Sequence, residues 1–276
     1  MKYFKDYEII TIVLLVFLLF GNIVVLNNKE NLKFKLNNEI PKAFIFQTNI
    51  PVPEKIQETE KIPSVVSDKT IYLTFDDGPS YLTSKILDIL KQENVPATFF
   101  VIGPHIYEYK DIVKKAYDEG HTIAIHSDTH KYSEIYADDK NYFNDLYLIN
   151  EKIYDITGHH SHILRLPGGS SNRISKHYNE GIMTRITNKL VHDNYYYFDW
   201  NIDSGDASGM LPKEKIIANA TGPMHSGTNI ILFHDASPKK TTVEALPYII
   251  RFAKANGYTF ARITKETPPI RHKVNN

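Results

Sequence analysis

Thr74-Phe75-Asp76-Asp77-Gly78-Pro79-Ser80 is the stretch on which the fold reading turns. An apolar, β-branched run from Thr70 to Phe75 leads into it and predicts a buried strand. Two adjacent carboxylates follow, and Gly78-Pro79 stops the strand. In α/β folds, active sites gather at the C-terminal ends of parallel strands. Neighbouring strand residues point to opposite faces, but where the chain turns both carboxylates can face one cavity. Like charges that close repel unless a cation or a basic side chain holds them. Asp76-Asp77 therefore asks for a metal, an arginine or both, although the same residues also suit a plain surface turn.

Beyond this stretch the pattern alternates. Strands are predicted at 72–75, 97–102, 122–125, 163–166, 196–200, 229–233 and 258–261. Helices are predicted at 84–93, 106–119, 141–156, 182–190, 213–218 and 243–255. Repeated β–α units imply parallel strands joined by right-handed crossovers. The expected fold is α/β: a distorted or incomplete (β/α) barrel of about seven parallel strands. The 276 residues suffice for one such domain and additional segments.

N-terminal to the barrel, residues 9–26 are almost wholly apolar, broken only by Thr11, Gly21 and Asn22. A run of about 18 residues is in the lower range for a membrane-spanning helix. No small-x-small cleavage pattern follows it. Residues 1–28 are thus expected to form a signal anchor, a single transmembrane helix in the cytoplasmic membrane. Residues 29–68, with Pro41, Pro51, Pro53 and Pro63, form an extracytoplasmic stalk. Residues 69–267 form the main domain, and the polar 268–276 a flexible tail. Secretion after signal cleavage is the alternative. A monomer is expected.

Basic and acidic residues balance at 32 each, so no basic excess points to a nucleic-acid partner. Cysteine is absent, which excludes disulfides and thiolate ligands. Any metal must be held by carboxylates and by some of the twelve histidines.

Four clusters fall at predicted strand ends. His126 and His130, four apart, can share a face of a helical turn and chelate one ion, with Asp77 as third ligand. In Arg165-Leu166-Pro167-Gly168-Gly169-Ser170, the arginine can pin Asp76 by a bidentate bond. The Gly168 N–H is a candidate oxyanion donor. Three carboxylates, Asp199, Asp203 and Asp206, gather with the only tryptophan, Trp200, and one can orient a histidine. His234, beside Leu232, is placed to act as a general acid. The tyrosines Tyr132, Tyr136, Tyr142, Tyr147 and those at 195–197 carry no assignment, because sugar stacking and plain packing suit them alike.

In order, Thr74…Pro79, His126…His130, Arg165…Gly169, Asp203…Asp206 and Leu232…His234 resemble the motif series of the polysaccharide deacetylases, carbohydrate esterase family four. The resemblance implies a divalent metal, zinc foremost with cobalt, nickel or manganese as alternatives, held by Asp77, His126 and His130. It implies Asp76 as general base, Arg165 as its partner, His234 as general acid and Asp206 as the residue tuning it. It also implies an acetyl pocket walled by Leu232. The family's tryptophan after the second aspartate of the fourth motif is replaced by Ala207. Trp200, a tyrosine or a wider pocket are the alternatives for that wall. The expected activity is metal-dependent removal of N-acetyl groups from a cell-surface polysaccharide, foremost the N-acetylglucosamine of peptidoglycan. N-acetylmuramic acid, poly-N-acetylglucosamine, chitin oligomers, acetylxylan and a non-catalytic glycan-binding role are the alternatives.

Overall fold

Strand β1 (Lys69–Asp76) carries the barrel. In the computed structural model, which describes residues 69–276, it pairs in parallel with β7 (Gly227–His234) along its whole length. Its upper half also pairs with β2 (Thr98–Ile102), and its lower end with β8 (Thr259–Phe260). Beyond β2 the parallel order continues through β3 (Thr122–Ser127), β4 (Ile163–Leu164) and β5 (Tyr196–Tyr197). Beyond β7 lies β6 (Ile202–Asp203). The expected membrane anchor and stalk lie outside the described residues. Among the described residues no helix is long and apolar enough to cross a membrane.

Alternation along these strands makes two cores. Ile71, Leu73, Phe75, Phe99, Val101, Ile123, Ile125, Ile231 and Phe233 face the surrounding helices. There Phe75 stacks between Phe99 and Phe233, with ring centroids 5.2 and 5.6 Å away. Such aromatic pairs add to the stabilisation from area burial. The other face points into the barrel, where Tyr72, Phe100, Ala124, Phe198, Ile230 and Ile263 fill the lower layers. One or two residues further along the same inward series stand Asp76, His126, Arg165 and His234. The apolar plug below thus sets the floor on which the polar residues sit.

Helix α1 (Tyr81–Glu93) starts directly after the Asp-Asp-Gly-Pro turn because Ser80 caps it. Ser80 Oγ accepts from the Leu82 N–H, and the Ser80 N–H donates to Thr83 Oγ1. A cap of this kind contributes about 1 kcal/mol. Helices α2 (Lys110–Asp118), α3 (Tyr132–Ile135), α4 (Asp139–Thr157), α5 (Ile182–His192), α6 (Lys213–Thr221) and α7 (Lys240–Ala255) complete the order.

The single strand expected at 196–200 is divided. Phe198 N donates to Leu164 O on one edge of the sheet, whereas Asn201 N donates to Ile230 O on the other. One segment therefore changes partners, and β5 and β6 do not pair, leaving the barrel open there. The C-terminal residues adjoin this seam. Asp199 N donates to Ile270 O at 2.9 Å, and the Arg271 guanidinium lies 4.2 Å from the Tyr197 ring. Thr184 N donates to Asn276 O. Within the segment 268–276, expected to be a flexible tail, residues 270–272 bond to backbone groups that the open seam presents, and Asn276 bonds beside the start of α5.

Candidate active site

Asp77 turns off β1 with φ 69°, a left-handed conformation that costs a non-glycine residue roughly 1 kcal/mol or more. His130 does the same with φ 55°. These two backbone irregularities bring three side chains together. Asp77 Oδ1 lies 3.5 Å from His126 Nε2 and 3.3 Å from His130 Nε2. His126 is the last inward residue of β3, and His130 follows a bend, so the pair does not share the helical turn expected from its spacing. The geometry is reached through the left-handed residue instead.

The three side chains suit a divalent ion. Two donor atoms about 2 Å from one tetrahedral ion lie roughly 3.3 Å apart. Asp77 Oδ1 is buried and has no hydrogen-bond partner, so a cation supplies what the protein does not. His126 Nδ1 donates to Arg165 O at 2.8 Å, which leaves Nε2 with its lone pair facing Asp77. Burial, with the neighbouring His130, pushes the His126 imidazole down to about 3, so it is neutral and able to ligate near pH 7.

A buried carboxylate that the sequence reading did not single out holds this loop. Asp145 of α4 accepts from Ser127 Oγ, the Asp128 N–H and the Thr129 N–H, each at 2.8 Å. Ser127 Oγ in turn accepts from the His130 N–H at 2.8 Å. The signal was present: an aspartate on the apolar face of an amphipathic helix, beside Tyr142, Leu146 and Ile149.

On one side of the three residues stands Asp76, paired with Arg165. Arg165 is completely buried. Its Nη1 donates to Asp76 Oδ1 at 2.8 Å and to Thr74 Oγ1 at 2.9 Å. Its Nε and Nη2 donate to the carbonyls of Phe198 and Asp199. The bidentate clamp expected on Asp76 is therefore a single contact, because the open seam claims the other donors. Burial pushes the Asp76 carboxyl above its ordinary range, and the Arg165 charge only partly pulls it back.

On the other side stands His234, directly across the β1–β7 ladder from Asp76. Its Nδ1 is 2.7 Å from Asp206 Oδ1, and its N–H donates to Asp206 Oδ2 at 2.9 Å. Asp206 Oδ2 also accepts from Thr242 Oγ1. Burial alone would lower His234, but the hydrogen bond and charge of Asp206 raise it to about 9. Burial works against the charge on Asp206, yet its bonds to His234 hold it below the usual range. Asp199 and Asp203 stand apart from this pair. Asp199 binds the Ser170 and His272 N–H groups, and Asp203 accepts from the Gly205 N–H in a local turn.

Leu232 is buried on the same face as His234, one pleat below it. Trp200 packs on Gly169, Arg165 and His272 at the seam. Ala207 is exposed. Gly168 is exposed with φ 77°, and its N–H makes no hydrogen bond among the described residues, whereas the Gly169 N–H donates to Leu166 O. Beside Gly168 lies the Tyr132 hydroxyl, which burial and the Asp77 and Asp76 charges push up to about 12.

Comparison with known proteins agrees with this arrangement. The polysaccharide deacetylase family matches residues 64–182. A peptidoglycan-N-acetylglucosamine deacetylase of Bacillus cereus is 32% identical over 248 residues, covering 87% of this chain and 82% of that protein. A peptidoglycan-N-acetylmuramic acid deacetylase of Bacillus subtilis is 33% identical over 198 residues, 71% of this chain and 70% of that one. The solved catalytic domain of a peptidoglycan N-acetylglucosamine deacetylase from Eubacterium rectale superposes with a TM-score of 0.73 at 42% identity, over 75% of this chain and 94% of that chain. With its ordered motifs brought to one rim of the parallel sheet, the chain belongs to the polysaccharide deacetylase family.

Proposed function

We propose that the protein is a metal-dependent deacetylase that removes N-acetyl groups from peptidoglycan, foremost from N-acetylglucosamine, releasing acetate. The observation that carries this reading is the unpaired, buried Asp77 Oδ1 between two imidazole nitrogens, flanked by a carboxylate–arginine pair and a carboxylate–histidine pair. The named relatives direct the choice of glycan.

Asp77, His126 and His130 would hold the ion, and zinc suits their one-oxygen, two-nitrogen set. When bound, it supplies the Lewis acidity that makes water nucleophilic near neutral pH. Asp76 accepts the proton of the attacking water. Its raised pKa suits a base, and Arg165 keeps the carboxylate oriented. The free Gly168 N–H donates to the oxygen of the amide as it gains charge. His234, kept protonated by Asp206, gives its proton to the departing nitrogen, which leaves as an amine. Leu232 provides the apolar surface for the acetyl methyl.

The apolar run at 9–26 suits a membrane anchor that would hold this domain outside the cytoplasmic membrane, beside the wall. The substrate is tested by incubating the full-length protein and Zn²⁺ with intact wall, then digesting and weighing the fragments. Loss of one acetyl mass from the glucosamine moiety supports the proposal. Loss from the muramic acid moiety redirects it to that sugar.

A further inference from the structure

Tyr132 opens helix α3, two residues after His130, and its ring stands edge-on to the His130 ring with centroids 5.7 Å apart. It is half-buried, and its hydroxyl makes no hydrogen bond among the described residues. A Cβ added to Gly168 would lie 2.7 Å from that hydroxyl and 3.4 Å from the ring carbon bearing it. Tyr132 thus occupies the volume that a side chain at 168 would need, and glycine at 168 is required both by that contact and by its left-handed backbone. Two unpaired donors, the Gly168 N–H and the Tyr132 O–H, adjoin the same Cα. A pair of donors left free at the rim of a site is complementary to an oxygen that gains negative charge during reaction.

We infer that Tyr132 is a substrate-contacting residue whose hydroxyl donates, beside the Gly168 N–H, to the amide oxygen under attack. This inference rests on the deacetylase reading above. The hydroxyl remains protonated throughout, and the oxygen it serves returns to a carbonyl in the acetate released. Because the contact strengthens as charge develops, it acts on kcat more than on KM.

The test is Tyr132→Phe in the full-length, zinc-loaded protein, assayed by acetate release from peptidoglycan. Zinc affinity and Tm are measured alongside. The expected result is a fall in kcat of about 100-fold, with KM, zinc affinity and Tm close to wild type. A kcat within about twofold of wild type overturns the inference and makes Tyr132 a packing residue. A raised KM with kcat retained overturns it too, because the contact then belongs to the ground state. A second variant tests the geometry: Gly168→Ala should cost less activity in the Tyr132→Phe background than in wild type, since the clashing oxygen is gone. Equal costs contradict the placement. If wild type itself releases no acetate, the deacetylase reading falls, and the role of Tyr132 with it.

Discussion

His234 Nδ1 and Asp206 Oδ1 lie 2.7 Å apart in a pocket that leaves Asp206 only 1% exposed. Asp206 thereby raises His234 to about 9, so the general acid carries its proton across the neutral range. The rate should fall as pH rises through about 9. Asp206→Asn removes the opposite charge, and the alkaline limb of kcat/KM should move to lower pH. A pH–rate profile of both proteins checks this. The same pair ties pH to stability. A histidine raised from 6.5 to about 9 on folding contributes stability that is fully present below 6.5 and lost as pH rises to about 9.

Asp145 shapes the His126–His130 loop through three accepted hydrogen bonds and, by way of Ser127, the His130 N–H. Asp145→Asn turns an amide NH₂ toward at least one of these donors. Zinc affinity should fall by about 10–100-fold. Chelator competition measures it, and an unchanged dissociation constant would remove Asp145 from the account.

Arg165 is buried with four partners, and its loss leaves Asp76 without its counter-charge. Breaking a buried pair costs about 3–5 kcal/mol. For Arg165→Met we expect Tm to drop by on the order of 10 °C, together with loss of activity. Thermal unfolding of the variant checks the first, and acetate release the second.

Gly78 has no room for a side chain: an added Cβ would come within 2.3 Å of Asp235 Oδ2. Asp235 is itself buried, with one oxygen unpaired, and burial opposed by a bond from Thr83 pushes it up to about 7. Gly78→Ala should destabilise the protein by about 1–3 kcal/mol. Because the strain falls on the turn that carries Asp77, zinc affinity should fall with it. Denaturant unfolding with and without zinc separates the two effects.

Much of this site was legible because β-strands alternate. The strand into Thr74-Phe75-Asp76, and the strands into His126, Arg165 and His234, declare their ends by an apolar run that stops at a polar residue. Parallel pairing then puts those ends on one rim. What was not legible depends on contacts distant in sequence. The seam at 198–201 exists because neighbouring amides choose different sheet edges, which a run of apolar residues does not encode. The bonds made by 270–272 follow from that seam. The helical turn expected at 126–130 gave way to a left-handed His130, held by an aspartate fifteen positions on. Tyr132 carried no signal of its own until Gly168 was seen to make room for it.

Deacetylation should depend on one ion among Asp77, His126 and His130 making water reactive toward an N-acetyl group. The most direct measurement is acetate release from peptidoglycan by chelator-stripped full-length protein as Zn²⁺ is titrated back. We expect no release without metal and a rate that climbs and levels off when the single site is filled. A stripped protein that keeps its rate, or a metal-filled one that frees no acetate from any N-acetylated glycan, would contradict it.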